Sequence, residues 1–190
     1  EPANGAIIGT SILRDPAVNG DFNRAEQVYG RSFSGILAYV LWGDLPSAVP
    51  EVAEAEKAGV ALQLAWQPNQ GLQAVQDNQY MHQFIQELSE LSVPVFLRFG
   101  GEMNGDWTPW SGNPELYKEK FRLIASLVRQ QAPNVAMVWA PNYVPEDNID
   151  TFYPGDQWVD WVGINAYSDY YFRGDPNSDI HATTQNYQGA

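Results

Sequence analysis

A parallel α/β barrel of the (β/α)8 TIM-barrel kind is the fold this sequence predicts, and three observations lead to it. Short apolar runs of β character alternate with segments of helical spacing, an order that right-handed crossovers turn into a parallel sheet. No glycine-rich phosphate loop follows the first apolar run, where an open dinucleotide-binding sheet would carry one. Instead, aromatic and polar residues stand at the C-terminal end of almost every later run: Trp42, Trp66-Gln67, Glu102, Trp139 with Asn142, and Tyr167. Residues from many strand ends converging on one mouth describe a barrel.

Each element has its own signal. Ala6 to Ile12 reads as the first strand, followed by a short helix capped by Asp21 and closed by Gly30. Phe33 to Trp42 is a second strand, a helix runs from about Pro46 to Gly59, and Val60 to Trp66 is a third strand. From Asn78 to Ser92, Met81, Phe84, Ile85, Leu88 and Leu91 recur at helical spacing on one face. Val93 to Phe99 is the fourth strand. The next helix has Asn113 as N-cap, Pro114 at its first position and Glu115 in its first turn, with Tyr117, Phe121, Ile124 and Val128 as its apolar stripe. Val135 to Trp139 is the fifth strand, a helical turn lies near Ile149 to Tyr153, and Trp161 to Tyr167 is the sixth strand. Alternation there sets Gly163, Asn165 and Tyr167 opposite Val162 and Ile164. If those two aliphatics pack on helices, the tyrosine points into the barrel.

Six such units make about three quarters of a barrel, for which about 250 residues is typical. Residues 168–190 form a polar, loop-like tail with no seventh strand. The 190 residues are therefore expected to be a single incomplete barrel domain whose C-terminal portion lies outside this sequence.

Composition narrows the function. With 44% hydrophobic and 17% charged residues, the chain is globular in type. A formal charge of −13 repels phosphate backbones and argues against nucleic acid or an anionic membrane as partner. No apolar run approaches the roughly 18–20 residues of a membrane span. There is no cysteine, so thiolate metal sites are excluded. His82 and His181 lack partners at ligand spacing, and Asp175, Asn177 and Asp179 only begin a calcium loop, which Ile180 and Asn186 then break. No metal or other cofactor is expected.

The segment Phe99 to Trp110, FGGEMNGDWTPW, carries the chemistry. It delivers one carboxylate, Glu102, into a turn containing Asn104, Trp107 and Trp110. Indoles stack on the apolar faces of pyranoses, and an acid in an apolar pocket can keep a proton for a glycosidic oxygen. The bland alternative makes Glu102 a solvated loop acid or the partner of Arg98, although a regular strand would hold the two about 13 Å apart. Trp42, Trp66 and Trp139 divide evenly between sugar contact and packing of strands on helices. Trp107 and Trp110, in a loop, are less natural core residues, whereas Trp158 and Trp161 read as structural. Tyr167 either hydrogen-bonds a carboxylate and holds it ionised or is a core tyrosine bonded to backbone. The candidate catalytic residues are thus Glu102 and Tyr167. The candidate substrate-binding residues are Asn104, Trp107 and Trp110, with Arg98, Trp66, Trp139 and Asn142 from strand ends.

Three segments, GEMNGDWTPW (Gly101 to Trp110), VWAPN (Val138 to Asn142) and YPGDQWVDWVGINAY (Tyr153 to Tyr167), resemble glycoside hydrolase family 26, the retaining β-mannanases and related β-glucanases. The resemblance implies that Glu102 is the general acid/base, that Tyr167 supports the nucleophile and that Trp107 stacks on sugar beside the scissile bond. It also implies a nucleophilic Glu on a seventh strand beyond this chain. Asp106, Asp160 and Asp169 are poor substitutes for it, so the 190 residues alone are expected to be inactive. There are two departures: Gly101 and Gln67 stand where family mannanases usually or often carry sugar-contacting histidines. They keep a mixed-linkage glucan or a xylan in contention beside mannan. A secreted, monomeric enzyme acting on a β-linked polysaccharide is the expected whole, the secreted location also resting on the non-Met N-terminus. A non-catalytic carbohydrate-binding protein on a degenerate barrel is the alternative.

Overall fold

A computed structural model describes residues 6, 8–13 and 15–166. Its six strands are β1 (Gly9–Thr10), β2 (Gly35–Leu41), β3 (Ala61–Gln67), β4 (Val95–Phe99), β5 (Val135–Trp139) and β6 (Trp161–Val162). They form one sheet in the order β1-β2-β3-β4-β5-β6, and every pairing is parallel. Strands that neighbour each other in strict chain order, with no reversal, wind in one direction. This is barrel winding, not the doubly wound order of a dinucleotide fold.

Four helices connect the strands: α1 (Phe22–Tyr29), α2 (Pro50–Ala58), α3 (Gln79–Glu90) and α4 (Pro114–Gln131). The caps Asp21, Gly30 and Asn113 fall where the sequence puts them, and Asn78 caps α3. Asp21, Asn78 and Asn113 each accept a backbone N–H from the first turn of their helix, and Gly30 closes α1 in the left-handed region. One predicted element divides in two. The stretch from Pro46 begins as a 3₁₀ turn, Pro46–Ala48, and only then becomes α2. The ring of Pro50 bars the α region to the residue before it, and Val49 is extended at φ −99°.

The two faces of the sheet differ. Ile36, Ala38 and Val40 of β2, Leu62, Leu64 and Trp66 of β3, and Val95, Leu97 and Phe99 of β4 are buried beneath the helices. From those helices Phe84, Ile85, Phe121 and Ile124 meet them, so one continuous core lies between sheet and helix layer. The opposite, concave face lines a cavity of about 410 Å³ that runs from the strand starts Gly9, Gly35 and Ala61 to Gln63, Phe96 and Trp161. Glu102 is not among the residues that line it.

The edge strands are shorter than the sequence predicts. β1 is a two-residue ladder, and β6 covers Trp161–Val162 with one further bridge between Asn142 and Asn165. An edge strand has hydrogen-bond partners on one side only, so its ladder frays first. Val162 and Ile164, whose packing on helices was the condition for Tyr167 to point into the barrel, are 64% and 63% exposed. Among the described residues, nothing covers that side of β6. Trp161, on the concave face, sets its ring edge-on to Phe96 at 5.6 Å.

Candidate active site

The site is built where β4 stops being a strand. Gly100 still donates to the Trp66 carbonyl on β3, and Glu102 donates to the Ala140 carbonyl after β5, at 2.9 Å each. The chain therefore leaves the sheet while hydrogen-bonded to both neighbours. It turns there because Gly100 (φ 51°) and Glu102 (φ 63°) are both left-handed. For a residue with a Cβ this conformation costs about 1–2 kcal/mol, and non-glycine residues held in it cluster at functional sites. Glycine is needed at position 100 for a second reason. A Cβ there would lie 3.2 Å from the Tyr117 ring and 3.4 Å from the Trp110 ring.

The turn breaks strict alternation, and Arg98 and Glu102, expected about 13 Å apart along a regular strand, meet a common partner. The two side chains are linked through Asn165. Its Nδ2 donates to Glu102 Oε1 at 2.6 Å, and its Oδ1 accepts from Arg98 Nη1 at 3.0 Å. The other Glu102 oxygen, Oε2, accepts the indole N–H of Trp107 at 2.8 Å. Glu102 is half-buried, whereas Trp107 is 51% exposed and offers a ring face to solvent. The ring lies directly over Gly105, where a Cβ would come within 2.5 Å of its carbons.

The remaining loop candidates hold the turn in place. Trp110 is buried and donates from its indole to the Gly101 carbonyl at 2.8 Å, so it props the turn from beneath. Asn104, 1% exposed, donates to the carbonyls of Asn142 and Pro145 and accepts the Asn142 N–H, clamping the β4 loop to the β5 loop. Asn142, also buried, accepts the Val144 N–H on its own side chain. These asparagines were expected to touch substrate; both are spent on protein partners.

Two of the strand-end tryptophans resolve to packing. Trp66 is fully buried, stacked on Phe84 of α3 at 3.8 Å and on Trp42 at 4.6 Å. It ends β3 on the helix-facing side and presents no surface to a ligand. Trp139 does the same on β5, packing against Tyr153 at 4.9 Å and remaining 5% exposed. Parity decides this outcome, since alternate residues of a strand point to opposite faces. Tyr167 and residues 168–190, with His181 and the Asp175–Asp179 segment, lie outside the described residues.

Arg98 is half-buried on the concave face, its guanidinium 5.8 Å from the Tyr39 ring on β2. Its Nε is buried without a hydrogen-bond partner among the described residues. Leaving such a donor unpaired costs about 1–3 kcal/mol. Tyr117 of α4 donates to the Phe99 carbonyl at the strand end, and burial pushes its phenol well above the ordinary tyrosine range, with Arg98 opposing. Asn165 and Tyr39 are site residues that sequence reasoning did not select. The signal existed in both cases: Asn165 shares a strand face with Tyr167 in GINAY, and Tyr39 falls between the buried Ala38 and Val40.

A parallel βα sheet wound in one direction, with a left-handed strand-end carboxylate gripped by an exposed indole and an amide at its C-terminal mouth, defines a barrel protein of carbohydrate-active type. The profile of glycosyl hydrolase family 26 matches residues 68–187, and the chain belongs to that family. It is 36% identical over 109 residues to a β-1,3-xylanase, TXYA, of a Vibrio species, a match covering 53% of this chain and 23% of the xylanase. It is 26% identical over 181 residues to endoglucanase H of Acetivibrio thermocellus, covering 87% of this chain and 20% of that protein. Among solved structures, a modular endo-β-1,4-mannanase of Cellulomonas fimi superimposes with a TM-score of 0.65 at 19% identity, covering 90% of this chain and 51% of the mannanase chain. That likeness shows the fold. The chain spans about a quarter or less of the length of these curated relatives.

Proposed function

We propose that this chain carries the acid/base half of a retaining endo-β-glycanase, with Glu102 as general acid and then general base. One observation carries the reading: the Glu102 carboxylate sits at the C-terminal mouth beside an indole whose N–H it accepts and whose face stays open to a pyranose. A protonated Glu102 would give its proton to the glycosidic oxygen, and the carboxylate would then activate water against a covalent glycosyl intermediate. The second carboxyl, needed about 5–5.5 Å away for retention, is assigned to a strand following β6, with Tyr167 supporting it. The substrate class is a β-linked glycan. Mannan, xylan and glucan all remain in play, since the three similar proteins are named for all three. Secretion of the whole protein is part of this proposal, supported by a polymeric β-glycan as the substrate class.

The test is Glu102→Gln in the full-length protein. Turnover of an unactivated β-glycan is expected to fall about 10³-fold or more, while an aryl glycoside with a good leaving group loses far less. Oligosaccharide affinity is expected to stay near that of the parent. Wild-type turnover in the variant refutes the assignment. Sugar binding without hydrolysis in the parent protein would favour a non-catalytic binding protein instead.

A further inference from the structure

The amide of Asn165 stands between a cation and a carboxylate, 9% exposed, and its backbone is pinned on both sides. Its N–H donates to the Pro141 carbonyl at 2.9 Å, and its carbonyl accepts the Tyr143 N–H at 3.0 Å. The two ends of a primary amide are alike in shape and opposite in chemistry. Arg98 offers donors only, and an ionised carboxylate accepts only, so one orientation of the amide satisfies both neighbours. Turning it over would set oxygen against the Glu102 oxygen and N–H against guanidinium N–H. The guanidinium thereby decides which end of the amide meets Glu102.

Arg98 is placed for that task at a cost elsewhere. Its Nε has no partner among the described residues, and the group is pressed against the Cα of Gly101, where a Cβ would lie 3.2 Å from Nε. A side chain at position 101 would make the guanidinium give way by a few tenths of an ångström.

We propose that Arg98 and Asn165 form a positioning relay, in which the guanidinium locks the amide and the amide holds the Glu102 carboxylate in register with the Trp107 indole. The relay rests on Glu102 being the acid/base. It reassigns Arg98 from substrate contact to positioning. Among the described residues, the surrounding elements also carry Tyr39 on β2, Tyr117 on α4 (with Glu115, Lys118, Glu119, Lys120, Arg122 and Arg129 on the same helix), Asp106 on the β4 loop, and Tyr143, Glu146 and Asp147 on the β5 loop. None of them is altered in the variants below.

The experiment compares pH profiles of kcat/KM for the full-length protein and three variants. The substrate is whichever of β-1,4-mannan, β-1,3-xylan or mixed-linkage β-glucan the parent degrades fastest. Asn165→Asp keeps the size and the Arg98 bond but sets a second anionic oxygen against Glu102 Oε1. Like charges disfavour ionisation, so the proton is held to higher pH and the alkaline limb moves up by about 1 unit or more. Arg98→Met frees the amide and removes the cation. It is expected to move the limb the same way and to lower kcat about 10-fold, with KM within about 2-fold. Arg98→Lys, which keeps a cation in place, recovers part of both changes. A purely structural role lowers all rates and leaves the limb where it was. An unmoved limb in both Asn165→Asp and Arg98→Met overturns the relay, and Arg98→Lys supplies the arginine comparison where Arg98→Met does not fold. If Glu102→Gln is inactive while the limbs stay put, the relay alone fails. If Glu102→Gln is active, the acid/base assignment itself fails.

Discussion

Replacing Trp107 with phenylalanine separates the two jobs its indole is placed to do. The ring face is half exposed, while the ring N–H donates to Glu102 Oε2 at 2.8 Å. Phenylalanine keeps most of the face and deletes the donor. A hydrogen bond to a charged group is worth about 1.5–3 kcal/mol net, and water can reach this one, which sets the expectation near the lower bound. Since about 1.4 kcal/mol corresponds to a factor of ten in rate, Trp107→Phe should lower kcat about 10-fold. KM should stay within about 2-fold to 3-fold, because the stacking surface survives. Trp107→Ala removes both functions. It should show the same loss in kcat together with a KM raised about 3-fold to 10-fold, the range of an aromatic contact worth about 0.5–1.5 kcal/mol. Steady-state kinetics of the full-length parent and both variants on one β-glycan give all the numbers. Wild-type kcat in Trp107→Phe would refute the role of the indole N–H in holding Glu102. An unchanged KM in Trp107→Ala would refute the ring as a sugar platform.

The buried aromatics lead to two further expectations. Trp66→Ala should cost about 3–5 kcal/mol of stability, read as a large fall in urea midpoint, with KM of the folded fraction unchanged because Trp66 lies between Phe84 and Trp42; a raised KM would return it to the binding surface. Tyr117→Phe should cost about 1 kcal/mol near pH 8 through loss of the bond to the Phe99 carbonyl. The pH sign follows from burial, which raises the folded-state phenol above its ordinary value. Stability from that proton is fully present below about pH 10 and is lost as pH rises above it, because only the unfolded chain then lets the proton go. The gap in urea midpoint between parent and variant should therefore narrow from pH 8 to pH 11, and a constant gap would show that the phenol does not titrate on unfolding.

Much of the fold was legible in the sequence because its signals are local. Asp21 and Asn113 cap helices with their own side chains as predicted, and Asn78 caps the helix expected to begin near it. Val135–Trp139 is a strand in both readings, bounded on one side by Pro133. The misses fall where a partner element decides. Strand length at β1 and β6 depends on what pairs with them, and the exposure of Val162 and Ile164 depends on what lies over that face.

At the site, the sequence by itself determined that one carboxylate would leave a strand end among glycines and indoles, since composition and order along FGGEMNGDWTPW need no third dimension. Only the tertiary structure decided which aromatics serve a ligand. Trp66 and Trp139 are spent on packing by strand parity, Trp110 is spent on the Gly101 carbonyl, and Trp107 stays half exposed. The tertiary structure also brought Asn165, far along the chain, to Glu102 and Arg98. Contacts between strand ends are set by the register of neighbouring ladders, and register is a property of the assembled sheet, with no mark in any single strand.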